Sequence, residues 1–111
     1  MIRLFMYLVL GIVVWVPVLC LADSKDTYTI LIKDHIFNPA QLVIPAGQRI
    51  KLTVDNQDPT AEEFESFDLN REKVVNGNKS IIVFLGPLAK GTYKYFGDFH
   101  QNTAQGVIVA Q

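Results

Sequence analysis

From Thr27 onward, apolar and polar residues alternate in short runs, and no apolar repeat of about 3.6 residues persists through three turns. Ile30 and Ile32 lie on one side of a run whose other side carries Thr29 and Lys33, and Ile50, Leu52 and Val54 oppose Lys51, Thr53 and Asp55 in the same way. Such a period of two places one face of an extended chain in a dry core and the other in water. Runs rich in β-branched and aromatic residues predict seven strands: Thr27 to Lys33, Gln41 to Ile44, Arg49 to Asn56, Glu65 to Leu69, Ser80 to Leu85, Thr92 to Phe96 and Gly106 to Ala110. Turn signals separate them at Asn38-Pro39, Pro45-Ala46-Gly47, Asn76-Gly77-Asn78 and Gly86-Pro87. This spacing predicts an all-β, seven-stranded Greek-key β-sandwich rather than a closed barrel or a sheet carrying helices. Leu88-Ala89-Lys90-Gly91-Thr92-Tyr93 reads as a tyrosine corner, which gives Tyr93 a structural role.

The chain before Thr27 differs in kind. Arg3 precedes an uncharged apolar run from Leu4 to Leu21, broken by Pro17 and followed by Ala22 and the polar stretch Asp23 to Asp26. This pattern reads as a secretory signal peptide over residues 1–22, cut between Ala22 and Asp23, with a single domain over residues 23–111. The alternative is an uncleaved anchor, since the run sits at the lower edge of the roughly 20 residues that span a bilayer. Bulky Leu19 argues against a lipid on Cys20. The domain is therefore expected in the periplasm or another extracytoplasmic space, with no membrane insertion of its own after cleavage. The only cysteine, Cys20, falls in the leader, so the domain must fold by packing without a disulfide. Without Arg3, 9 basic residues face 11 acidic ones, a balance that supplies no attraction for nucleic acid or anionic lipid. No Ser-His-Asp pattern, P-loop or glycine-rich dinucleotide turn points to an enzyme of those classes.

Several segments resemble a known family. Phe37-Asn38-Pro39 with Ile44-Pro45-Ala46-Gly47, then Leu52 to Asp58, then Leu88 to Phe96 look like a cupredoxin, and Gly97-Asp98-Phe99-His100 followed by Thr103 to Val109 resembles its ligand loop and last strand. The resemblance implies a metal site but departs from the family's ligands. Glu62 falls where the first histidine would be, Gly97 where the cysteine would be, and Gln105 or Ala104 where the methionine would be, while His100 matches the second histidine. Blue copper needs a thiolate, so the resemblance implies no blue-copper electron carrier. The stretch Glu62 to Lys73 is more similar to EfeO-type cupredoxin-like domains, companions of high-affinity iron uptake permeases. That similarity implies a role in handling an iron or copper ion beside a membrane iron permease or related transport component.

The residues support a candidate site on their own chemistry. Glu62, Glu63 and Glu65 crowd three carboxylates into four positions, and their repulsion must be offset. Either a cation binds among them, or alternation sends Glu63 and Glu65 to one face and Glu62 to the other, where solvent screens them. In the cupredoxin arrangement this segment meets the Gly97 to His100 loop, and the first strand's end brings His35 close. The expected metal set is therefore His100, Glu62, Glu65, Glu63, His35 and Asp98. Mixed imidazole and carboxylate donors suit Fe(II), Fe(III), Cu(II) or Zn(II) and disfavour Cu(I). Arg71, Glu72 and Lys73 read as a loop of solvated ion pairs. Two functions follow: an exported iron- or copper-binding accessory protein, with ferroxidase-like activity only alongside a partner, or a metal-free interaction module that docks a membrane partner.

Overall fold

The computed structural model describes residues 11–14 and 26–111. The expected leader boundary at Ala22 and Cys20 lie outside the described residues. Among the described residues no helix is long and apolar enough to cross a membrane.

Among the described residues nine strands form: β1 (Thr27–Lys33), β2 (Ile36–Asn38), β3 (Gln41–Ile44), β4 (Ile50–Asn56), β5 (Glu62–Ser66), β6 (Arg71–Val75), β7 (Ser80–Leu85), β8 (Gly91–Gly97) and β9 (Gln105–Ala110), with one 3-10 turn at Asp98–His100. They make two sheets, ordered β2-β1-β4-β7 and β3-β9-β8-β5-β6. β1 runs parallel to β4 and β3 parallel to β9, and the remaining pairs are antiparallel. The expected β-sandwich is therefore the observed fold, with two strands more than the seven predicted.

Both additions have a physical reason. β2 is only three residues long, too short to show alternation, and pairs with β1 through a two-residue turn. β6 is an edge strand whose first four residues are exposed, so its polarity hides its pairing with β5. The predicted loop of ion pairs at Arg71, Glu72 and Lys73 is corrected accordingly. Arg71 Nε and Nη2 donate to the Phe84 carbonyl at 3.2 and 3.1 Å, and Lys73 Nζ donates to the Ile82 carbonyl at 3.2 Å. Long basic side chains thus cap the free edge of β7, which blunts further strand pairing. The predicted Glu65 to Leu69 strand lies three residues earlier, at Glu62–Ser66. Its end is set by Ser66, whose hydroxyl donates to the Lys94 carbonyl at 2.6 Å and accepts from Leu69 N–H at 3.0 Å, turning the chain.

The core lies between the sheets. Ile30, Ile32, Leu52 and Val54 enter it from one side, and Phe64, Tyr95 and Ile108 from the other, all essentially without solvent contact. Phe37, Phe64 and Tyr95 meet as an aromatic cluster with ring centroids 5.0 to 6.2 Å apart, an arrangement that adds to simple area burial. The tyrosine corner forms as expected, with Tyr93 Oη donating to the Ala89 carbonyl at 2.8 Å.

Tyr95 lies across Gly106, its partner on β9, and a Cβ at that glycine would overlap the ring of Tyr95. The ring is enclosed by core, and its hydroxyl donates to the Pro39 carbonyl at 3.3 Å, so it has little room to yield. Gly106→Ala is expected to lower stability by about 1–3 kcal/mol through overpacking, read by urea denaturation. An unchanged midpoint would show that the ring moves freely.

Candidate metal centre

One end of the sandwich gathers side chains from three elements. The first is the tight turn between β1 and β2. Asp34 and His35 both have positive φ, 53° and 59°, and they occupy the two central positions between Lys33 and Ile36, which pair across the hairpin. Two consecutive left-handed residues define the turn whose twist suits a hairpin, usually built from Asn-Gly. Here neither residue is glycine, and the conformation is held by a partner. The Asp58 carboxylate accepts the Asp34 N–H at 2.7 Å and the His35 N–H at 3.0 Å.

Asp58 is buried and fixed in turn by Asn56. The Asn56 side-chain carbonyl accepts the Asp58 N–H at 3.0 Å, and its amide donates to the carbonyls of Thr60, Val75 and Asn76. Burial pushes the Asp58 carboxyl up, but the two turn N–H groups and the nearby His35 and His100 rings outweigh this and hold it below its ordinary 3.8. His35 Nδ1 stands 3.4 Å from Asp58 Oδ2. The outcome is a defined position for the His35 ring, which stacks on the His100 ring at 3.6 Å between centroids and 11° between planes.

The second element is β5. Alternation along Glu62–Ser66 turns Glu62, Phe64 and Ser66 inward, so Glu62 is only 1% exposed. A buried carboxylate is costly unless its oxygens find donors. Oε1 accepts from Phe99 N–H at 2.8 Å and Glu63 N–H at 3.0 Å, and Oε2 lies 2.5 Å from His100 Nδ1. The third element is the 3-10 turn, which delivers both Phe99 N–H and His100. Gly97, just before it, has no side chain, and a Cβ there would stand 2.6 Å from Glu62 Cδ and 2.7 Å from Ala104 Cβ.

Of the six expected ligands, three converge. His35, Glu62 and His100 each offer a ligand atom, and these atoms lie within 4.8 Å of one another. Ligands about 2.0–2.2 Å from one ion are at most roughly 4.4 Å apart, so the three atoms are close enough to share a cation once the stacked rings turn their nitrogens toward it. Its chemistry, two imidazoles and one carboxylate, fits a borderline or hard metal ion.

Glu63 and Glu65 point to the opposite, outer face, where they gather with Glu72, which faces Glu65 across β5 and β6. Asp98 lies outside the trio, and its Oδ1 accepts from Gln101 Nε2 at 2.7 Å. Asp58 and Asn56 were not singled out from the sequence, because Asp58 acts on a turn 23 residues away. The only local hint was a polar Asn-Gln-Asp run closing a strand that is apolar on one face.

The chain belongs to the cupredoxin-like domain family, whose pattern matches residues 5–110. An uncharacterized protein of Rickettsia prowazekii (strain Madrid E) is 52% identical over 87 residues, covering 78% of this chain and 70% of that protein. Among solved structures, the fold is similar to auracyanin A, a "blue" copper protein from Chloroflexus aurantiacus, with TM-score 0.65 and 18% identity over 77% of this chain and 98% of that one. It is also similar to amicyanin from Paracoccus versutus, with TM-score 0.62 and 16% identity over 81% and 87% of the two chains. A purple cupredoxin from Nitrosopumilus maritimus matches with TM-score 0.59 and 21% identity, over 75% and 98%.

Two predictions follow from the electrostatics. Removing the Asp58 carboxylate orphans two turn N–H groups, so Asp58→Ala should cost about 2–3 kcal/mol at neutral pH by urea denaturation. Because the native carboxyl lies below its ordinary 3.8, its contribution is present above that pH. It is lost as pH falls through the lower native value, so the gap between wild type and Asp58→Asn should close in acid. Glu63 behaves oppositely: partial burial, then Glu72, Glu65 and Asp98, push it up from 4.5 to about 7. The folded state then holds its proton more tightly, and stability declines as pH rises through that window. Glu63→Gln should raise the melting temperature at pH 8 and leave it unchanged at pH 4; an equal shift at both would show that charge is not the cause.

Proposed function

We propose that this protein is an exported metal-binding accessory that holds an iron or copper ion at His35, Glu62 and His100 and assists iron uptake at the cytoplasmic membrane. Its partner in this reading is a membrane iron permease or a related transport component. The observation that carries the proposal is the convergence of two imidazoles and a buried carboxylate at one end of a cupredoxin-like sandwich. Two histidines and one carboxylate form the donor set typical of non-haem Fe(II), and the carboxylate also suits ferric iron. Cu(II) would bind the same donors more tightly than Fe(II) by the ordinary order of divalent affinities, so supply decides which metal the protein carries. The similarity of Glu62 to Lys73 to EfeO-type domains supports the link to iron uptake. The apolar run from Leu4 to Leu21 supports export.

A blue-copper carrier is not the reading we favour. Gly97 stands at the position read as the family's cysteine, and the one cysteine of the chain is Cys20. When bound, the metal would supply a Lewis-acidic or one-electron centre. The protein's residues supply its seat: Glu62 neutralises charge, His100 and His35 donate nitrogen, and Asp58 orients His35.

A metal-free docking module is the second reading, favoured by one feature. The buried side-chain polar atoms of the described residues are all partnered by protein groups, Glu62 by His100 included. Metal analysis of protein purified from its own compartment separates the two, because stoichiometric iron or copper contradicts a metal-free role. Calorimetric titration with Fe(II), Fe(III) and Cu(II) should show one site tighter than about 0.1 mM, weakened at least about tenfold by His100→Ala or Glu62→Gln with the fold retained. Absence of binding for all three ions would sink the metal reading.

A further inference from the structure

Position 97 needs explanation, because glycine is not required there by the backbone. Gly97 has φ −92° and ψ 111°, ordinary extended geometry open to any residue. It closes a regular strand, pairs opposite Phe64 on β5, and donates its N–H to the Ala104 carbonyl at 2.9 Å. What the position lacks is space. A Cβ would stand 2.6 Å from Glu62 Cδ, 2.8 Å from Glu62 Oε1 and 2.7 Å from Ala104 Cβ. Neither side can yield easily, since the carboxylate is held by Phe99 N–H, Glu63 N–H and His100, and Ala104 is fully buried.

We propose that Gly97 is the residue that sets the metal specificity of this centre: by leaving out a side chain it admits the Glu62 carboxylate as the anionic ligand beside His35 and His100. The inference rests on the metal reading given above. A side chain at position 97 starts within 2.6–2.8 Å of the Glu62 carboxylate, too close for both to stay, so the site holds an anionic donor from β5 or one from position 97. With Glu62 seated, the anionic donor is oxygen, and the centre takes hard and borderline ions such as iron or Cu(II) in preference to Cu(I). With Glu62 truncated, the vacated space would accept a thiol at position 97 beside the same two imidazoles.

The test is a double-mutant cycle on the full chain, with Cu(II) as the probe. Gly97→Ala should weaken Cu(II) binding at least about tenfold, as Glu62→Ala also should, and adding Gly97→Ala to Glu62→Ala should weaken it no further. Ala104→Gly, which removes the other contact, should not restore binding to Gly97→Ala. The wild-type Cu(II) complex should show only weak visible absorption, whereas Gly97→Cys combined with Glu62→Ala should gain an intense copper–thiolate band. If the cysteine variant does not fold, the alanine cycle still decides. Gly97→Ala that binds within about twofold of wild type, or that loses the same factor with and without Glu62, overturns this inference alone. A wild-type chain that binds no Cu(II) overturns the metal reading on which it rests.

Discussion

A carboxylate buried in a β-sandwich must be compensated, and the end of this protein that gathers His35, Glu62 and His100 is arranged around that constraint. Moving a charge out of water costs far more than any single contact returns, so Glu62 persists at 1% exposure only because both carboxylate oxygens are hydrogen-bonded. Two backbone N–H groups and one imidazole do this, and they come from two separate elements, β5 and the Asp98–His100 turn. The same bonds therefore tie β5 to the Asp98–His100 turn and hold the carboxylate beside a stacked pair of histidine rings. A cation bound there would meet charge complementarity already built in.

The opposite wall of the centre rests on a second buried carboxylate with a different task. Asp58 serves the backbone of the β1–β2 turn, compensating two left-handed residues that would otherwise be costly. Asn56, wholly buried at the end of β4, ties this carboxylate to the chain around Thr60 and Asn76. His35 is thereby attached to the sandwich core rather than to a free loop. A side chain anchored in this way would lose little entropy on taking a metal ion.

The outer face of β5 has a different character. Glu63, Glu65 and Glu72 repel one another at the surface, and water and salt absorb much of that repulsion. Strand alternation separates this cluster from Glu62 by a single residue in sequence and by the thickness of the sheet in space. Crowding of carboxylates in the chain was thus two arrangements superimposed: one buried oxygen donor and one acidic edge.

The alternation of Ile30 with Ile32, and of Ile50 with Leu52 and Val54, marked strands with one dry face, and the number and close spacing of such runs pointed to an all-β sandwich. Strands Thr27–Lys33, Gln41–Ile44 and Ser80–Leu85 were legible to the residue. Tyr93 was legible as a corner, since its bond is local. His35, Glu62 and His100 could be named as donors from residue type. Their convergence was expected only through the likeness to the cupredoxin arrangement, and tertiary structure alone decided the strand start at Glu62 that turns its carboxylate inward and the reach of Asp58 across 23 residues to the turn. β2 and β6 were hidden because one is too short to alternate and the other is an exposed edge. Gly97 marks the division most clearly: in the sequence it is a missing side chain, and only the folded packing, with Glu62 and Ala104 within 3 Å of where a Cβ would stand, shows that the absence makes room for the Glu62 carboxylate.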